Sequence, residues 1–295
     1  MNTGEPIPGA TPDTEIISGL AERQLPEVSM SFGKLSLAGK QYELTSRTGG
    51  GKFSDVIFLG TTTGDPEIAV KLVALGANDR ERESFNSEIG RLAKLSEYQR
   101  QHNLLVGGSP CTPELLAVSS QKDAKGIPSF FVMSKAEGIP LDEYIRRTVS
   151  TELSTQDVVS IGEQACRVLE AVHEGLDASY YDFQPRNFFW DAQRRKLTVI
   201  DFNLLAPIVL ENGERVEANP VEDLRNLSLM LFRILAGVKA VKLEKGDAQT
   251  IIQQSGIDDE LKQVLVRGVT TGKPESFKGA KDMREAFSKV KVIEE

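Results

Sequence analysis

Hydrophobic and polar positions change their period along this chain. Between Ser31 and Leu75, apolar residues alternate with polar ones or run together in KLSLAGKQYELTSRT, DVIFLGTTTG and EIAVKLVAL, with glycine-rich turns between. That pattern predicts strands. Residues 79–101, DRERESFNSEIGRLAKLSEYQRQ, switch to a helical period that puts Phe85, Ile89, Leu92 and Leu95 on one face, with Asp79 placed to cap the helix. LLAVSS and SFFVMSK read as two further strands around a turn at Lys125–Gly126. The rest is largely helical, over 141–148, 155–174, 221–236, 248–254, 257–268 and 280–290. Strands first and helices afterwards predict an α+β fold in two lobes with a cleft between, an antiparallel sheet plus one helix and then a mainly helical part.

Residues 1–30 are rich in Pro, Gly, Thr and Glu and read as a disordered or weakly ordered tail, with room for a short helix near Glu15–Arg23. The net charge of −8 argues against nucleic acid or an anionic membrane as a general partner, though a local basic cleft stays open. Cys111 and Cys166 lie far apart with no Cys/His cluster, which argues against zinc and against a disulfide framework and fits a reducing, cytoplasmic location. No apolar run approaches the length of a membrane span, and the N-terminus has no secretory pattern.

Three stretches carry candidate chemistry. RTGGGKFSDVIFLG spaces Gly49, Gly51, Phe53, Ser54 and Val56 as G-x-G-x-F-S-x-V. Such glycines let backbone N–H groups approach a phosphate chain, although a plain glycine-rich hairpin has the same look. Lys71 stands among apolar neighbours in IAVKLV. It is either a surface lysine whose stem lies along the sheet or an inward one that needs an acid, for which Glu88 and, less well placed, Glu83 are available. SYYDFQPRNFFWD crowds aromatics around Asp182 and Asn187, in a segment that Pro185 makes too irregular for a helix or a central strand.

Together these residues resemble the eukaryotic-type protein kinase superfamily, over about residues 40–290. Ala69-Val70-Lys71 matches the A-x-K strand, and Glu88 the helix glutamate that pairs with its lysine. YYDFQPRN matches the catalytic loop D-x-x-x-x-N, and VIDFN the metal-binding D-F-G. The resemblance implies a protein kinase-like domain over 31–295, with an N-lobe of about 31–134 and a C-lobe of about 137–295. It implies ATP and Mg2+ as cofactors, with Asn187 and Asp201 as metal ligands and Asp182, Lys71 and Glu88 as catalytic residues. Gly49, Gly51, Phe53 and Ser54 would cover the phosphates. Met133 would be the gatekeeper, Ser134, Lys135 and Ala136 the hinge that meets adenine through backbone groups, and Val56, Ala69 and Phe189 would sandwich the base. Asp142 is a weaker candidate for the ribose. VEDLRNLSLMLFRILAG resembles the family's central helix, whose first-turn aspartate, here Asp223, holds the catalytic loop backbone. The implied partner is a phosphoryl acceptor.

The departures qualify the expected activity. The usual H-R-D reads Tyr180-Tyr181-Asp182, and residues 203–222 contain no Ser, Thr or Tyr. Receptor and acceptor of an activating phosphate are thus absent together, which implies activity independent of activation-loop phosphorylation. Gln184 replaces a lysine, Asn203 replaces the D-F-G glycine, no A-P-E follows, and Ser276 stands where its partner arginine is expected. The expectation is a Mg-ATP-dependent phosphotransferase acting on Ser/Thr protein substrates. A small-molecule kinase of the same fold and a nucleotide-binding pseudokinase or scaffold are the alternatives.

Overall fold

The computed structural model describes residues 28–31, 34–48, 54–60, 68–73, 76–146, 153–180, 182–203, 205–207, 219–236 and 247–291. These residues are mixed α and β. The chain divides into two compact units, one built from residues up to Ala93 and Leu115–Lys135, the other from Lys94–Glu114, Ala136–Ala206 and the chain after Ala218.

The first unit is built on strands β1 (Val28–Ser31), β2 (Lys34–Leu37), β3 (Lys40–Thr48), β4 (Ser54–Gly60), β5 (Ile68–Val73), β6 (Leu115–Val118) and β7 (Phe130–Ser134). They form one sheet in the order β1-β2-β3-β4-β5-β7-β6, with antiparallel pairings. β1 starts inside the stretch expected to be tail, because Val28 to Met30 find partners in Leu37 to Leu35. The rest of that tail, with the helix expected near Glu15–Arg23, lies outside the described residues. Between β2 and β3 the chain reverses at Ala38 and Gly39, with φ of 52° and 79°. Two consecutive left-handed residues make the two-residue turn that suits the twist of a hairpin.

The period of two sorts the sheet into faces. Leu35, Leu37, Tyr42, Ile68, Val70, Ala117, Phe130 and Val132 form the core of one face. Ala69 and Lys71 alternate with Ile68 and Val70, so they belong to the other. Helix α1 (Asp79–Gln101) packs its ring of Phe85 5.2 Å from Phe131, the residue opposite Lys71 in the register. Phe85, Ile89, Leu92 and Leu95 are all buried. The cap is Asn78, not Asp79. Its Oδ1 accepts the Glu81 N–H at 3.0 Å, and the Glu81 carboxylate accepts the Asn78 N–H at 2.9 Å. The capping residue stands outside the helix, where its side chain can turn back to the first-turn N–H groups, and Asp79 is already helical.

The second unit is mainly helical: α2 (Leu141–Ile145), α3 (Thr155–Gly175), α4 (Pro220–Ala236), α5 (Asp247–Gln254), α6 (Asp259–Val269) and α7 (Ala280–Phe287). Ser154 and Asp157 close a capping box at the start of α3. Gly162 lets Phe287 of α7 lie against α3, where a Cβ would come within 2.5 Å of the ring. α2 is shorter than expected. Arg146 closes it, and 147–148 lie outside the described residues. α7 ends at Phe287 rather than 290, in a turn through Ser288 and Lys289. Short strands β8 (Ile139–Pro140), β9 (Ala178–Tyr180), β10 (Phe188–Asp191) and β11 (Lys196–Val199) also belong to the unit, with β10 between β11 and β8, and a further strand, β12 (Leu205–Pro207), pairs with β9. Among the described residues no helix is long and apolar enough to cross a membrane.

Candidate active site

In the first unit, β5 presents Lys71 on the face opposite the apolar core, and α1 meets it with Glu88. Lys71 Nζ lies 2.8 Å from Oε1 and 2.7 Å from Oε2 of Glu88. Both residues are buried, at 5% and 1% exposure, which decides between the inward and the surface reading of the lysine. An ammonium taken out of water needs an opposite charge with good geometry, and a carboxylate offering both oxygens gives it. Glu83 is exposed. The register sets the neighbours: Val56 opposite Lys71, Met133 opposite Ala69, and Ser134 opposite Ile68. Ser54 lies further along β4, opposite Val73. Gly49, Gly51 and Phe53 lie outside the described residues.

In the second unit the β10–β11 hairpin brings two chemical segments side by side. Phe188 pairs with Val199, and one step beyond, the Ile200 N–H donates to the Asn187 carbonyl at 2.9 Å. Asn187 thus sits beside the residue that precedes Asp201. Pro185 starts a single 3-10 turn, Pro185–Asn187, where its missing N–H leaves no donor unmet. Within that turn Asn187 is buried, and its Nδ2 donates to the Asp182 carbonyl at 3.1 Å and to Asp182 Oδ2 at 3.3 Å. The Gln184 N–H donates to the Asp182 carbonyl at 2.8 Å, and the Gln184 amide donates to Asp182 Oδ1. Asp201 adopts φ of 66°, the left-handed region that costs most non-glycine residues about 1 kcal/mol. Asn203 Nδ2 donates to Asp201 Oδ1 at 2.7 Å.

The crowded aromatics hold these loops. Tyr180, Phe188 and Phe202 are each at most 1% exposed. The Tyr180 ring meets Phe202 at 5.5 Å, Phe183 at 5.8 Å and Phe188 at 6.0 Å. Its hydroxyl donates to the Ile200 carbonyl at 2.7 Å and its N–H to Asp223 Oδ2 at 2.8 Å. Tilted and edge contacts of this kind are each worth about 0.5–1.5 kcal/mol beyond burial, so the loop is fixed chiefly by packing. His173, near the end of α3, is structural. Its Nε2 lies 2.8 Å from the same Asp223 oxygen.

Elsewhere, Ala136 and Phe189 are half-buried, and Phe189 pairs with Pro140 and Thr198. Asp142 is engaged by Arg146 one helical turn on. Tyr181 lies outside the described residues.

The donor set beside the hairpin fits a hard divalent cation. Asp201 offers a carboxylate. Asn187, with its NH2 on Asp182, presents its carbonyl oxygen as the acceptor. One carboxylate and one carbonyl suit Mg2+, which completes its shell with water and phosphate rather than with a protein cage. Among the described residues no group of three or more His, Cys, Asp or Glu could hold a metal. No protein-family model matches the chain, and no curated protein matches it in sequence.

Proposed function

We propose that the chain is a Mg-ATP-dependent phosphotransferase of the two-lobed protein kinase-like fold, acting in the cytoplasm on Ser/Thr hydroxyls of proteins. The observation that carries the reading is the tie between Asn187 and Ile200, which sets the amide that braces Asp182 beside Asp201. The buried Lys71–Glu88 pair supplies the second element, a cation held in place by a carboxylate. In this reading both serve one nucleotide.

Phosphoryl transfer needs alignment and charge neutralisation more than covalent help. Lys71 offsets phosphate charge, and Glu88 keeps its ammonium from wandering. Asp182 accepts the proton of the attacking hydroxyl as the new O–P bond forms and the bond to ADP breaks. Asn187 holds the Asp182 carboxylate with its NH2, and with Asp201 supplies the oxygens for the cation. Bound Mg2+ would supply positive charge at the phosphate oxygens.

Gln184 favours a second reading, with a small molecule as acceptor. Its amide is engaged by Asp182, so no lysine charge reaches the transferring phosphate from that position.

The test is incubation with labelled ATP and Mg2+, followed by mass spectrometry of whatever gains phosphate. Asp182→Ala should lower transfer by about 10²–10⁴-fold, the usual share of a general base. Phosphate on proteins supports the first reading and phosphate on a metabolite the second. Nucleotide binding without any turnover identifies a pseudokinase, and full turnover by Asp182→Ala removes the assigned mechanism.

A further inference from the structure

We infer that Asn203 is a positioning residue for Asp201: its carboxamide fixes the carboxylate in the orientation that receives a divalent cation, and its loss weakens the cation's contribution to nucleotide binding. The inference rests on the reading of Asp201 as a ligand of magnesium.

Asn203 Nδ2 donates to Asp201 Oδ1 at 2.7 Å, and Asn203 is only 7% exposed, so the amide is itself held by packing. Asp201 carries a left-handed backbone, which aims its side chain but is not a conformation aspartate favours. The hydrogen bond closes a small ring from residue 201 to 203 and offsets part of that cost. The same device recurs at the neighbouring acid, where the Gln184 amide donates to Asp182 Oδ1, again from two residues on.

The amide supports cation binding rather than competing with it. A carboxylate has about four lone-pair sites, and one neutral N–H occupies one of them. It leaves the full negative charge, which a lysine or arginine at the same place would cancel. Hydrogen-bonded partners behind a ligating carboxylate typically contribute about 10–100-fold to metal affinity, by holding the ligand in one orientation.

The experiment titrates ADP calorimetrically into the full chain, in Mg2+ and in EDTA. The ratio of the two dissociation constants is the cation's contribution. Asn203→Leu keeps the size and removes the donor, and Asn203→Gly removes the side chain and relaxes the backbone. Thermal unfolding in EDTA establishes which variants are folded, and either one decides the matter. The expected result is unchanged ADP affinity in EDTA and a cation contribution about 10–100-fold smaller in the variants. An undiminished or enlarged contribution in a folded variant overturns the role of Asn203 while leaving magnesium binding standing. A native chain that binds ADP equally well with and without Mg2+, or does not bind it, overturns the magnesium reading and this inference with it.

Discussion

Oδ2 of Asp223 accepts the backbone N–H of Tyr180 at 2.8 Å. The same oxygen meets His173, so one buried carboxylate joins the end of α3, strand β9 and the first turn of α4. Asp223→Ala removes the acceptor and leaves a buried N–H unmet, which costs about 1–3 kcal/mol, with more from the imidazole. We predict a loss of about 3–5 kcal/mol in urea unfolding at unchanged m-value. Asp223→Asn keeps an oxygen for Tyr180 and should lose less than half of that. Equal losses in the two variants would remove Asp223 as the anchor of this loop.

The Lys71–Glu88 pair separates stability from function. Glu88→Ala deletes the carboxylate facing a buried ammonium and is expected to cost about 3–5 kcal/mol. Replacing both, as Lys71→Met with Glu88→Leu, fills the site with apolar atoms of similar size and should recover most of that loss. The double variant should nonetheless lack Mg-ATP-dependent transfer. Unfolding curves and a labelled-ATP assay on the native chain and these two variants check both halves; a double variant that turns over would sever the pair from catalysis.

What could be read from the sequence follows from how local each feature is. The strands around Lys71 and the helix carrying Glu88 were legible because their periods are strong, whereas their pairing was implied only by the family resemblance, since a lysine among apolar neighbours can equally lie along the surface. The choice between Asn78 and Asp79 as cap was not, since both types cap well and only backbone geometry decides. The pairing of Asp182 with Asn187 was implied by the resemblance to the family's catalytic loop, but the hydrogen bonds that brace Asp182 from Gln184 depend on the 3-10 turn. The Asp223 knot gathers residues 43 and 50 positions apart, so a histidine near a helix end gave no hint of its partner. Ala38 breaks a strand run at a φ of 52°, where composition alone favours continuation.

Asp201→Asn should separate geometry from charge at the proposed cation ligand. Asparagine tolerates the left-handed backbone at least as well as aspartate, and its size is the same. Stability should therefore change by less than about 1 kcal/mol. Transfer and the Mg2+-dependent part of ADP binding should nearly vanish, since an amide oxygen carries no net charge for the cation. Parallel thermal unfolding and calorimetry make the comparison; wild-type magnesium dependence in this variant would reassign Asp201 to a structural role.

The two cysteines make stability fall in alkali. Burial pushes the Cys111 thiol from 9.0 up to about 12 and pushes Cys166 upward as well. Below pH 9 both thiols are protonated in the folded and the unfolded chain, so they contribute nothing to pH dependence. Above it the unfolded chain releases the protons and the folded chain keeps them, so the unfolded state gains and stability drops. The slope is about 1.4 kcal/mol per pH unit for each thiol until the folded pKa is reached. Burial and Glu174 push the Tyr98 phenol the same way, adding to the fall at higher pH. Urea midpoints between pH 8 and about 10.5 should therefore decline, and Cys111→Ala with Cys166→Ala should flatten the decline while lowering stability modestly at every pH. Neither thiol should react with an aromatic disulfide reagent at neutral pH until the chain is unfolded. Rapid labelling of the native protein would place at least one thiol in contact with solvent and remove the basis for the slope.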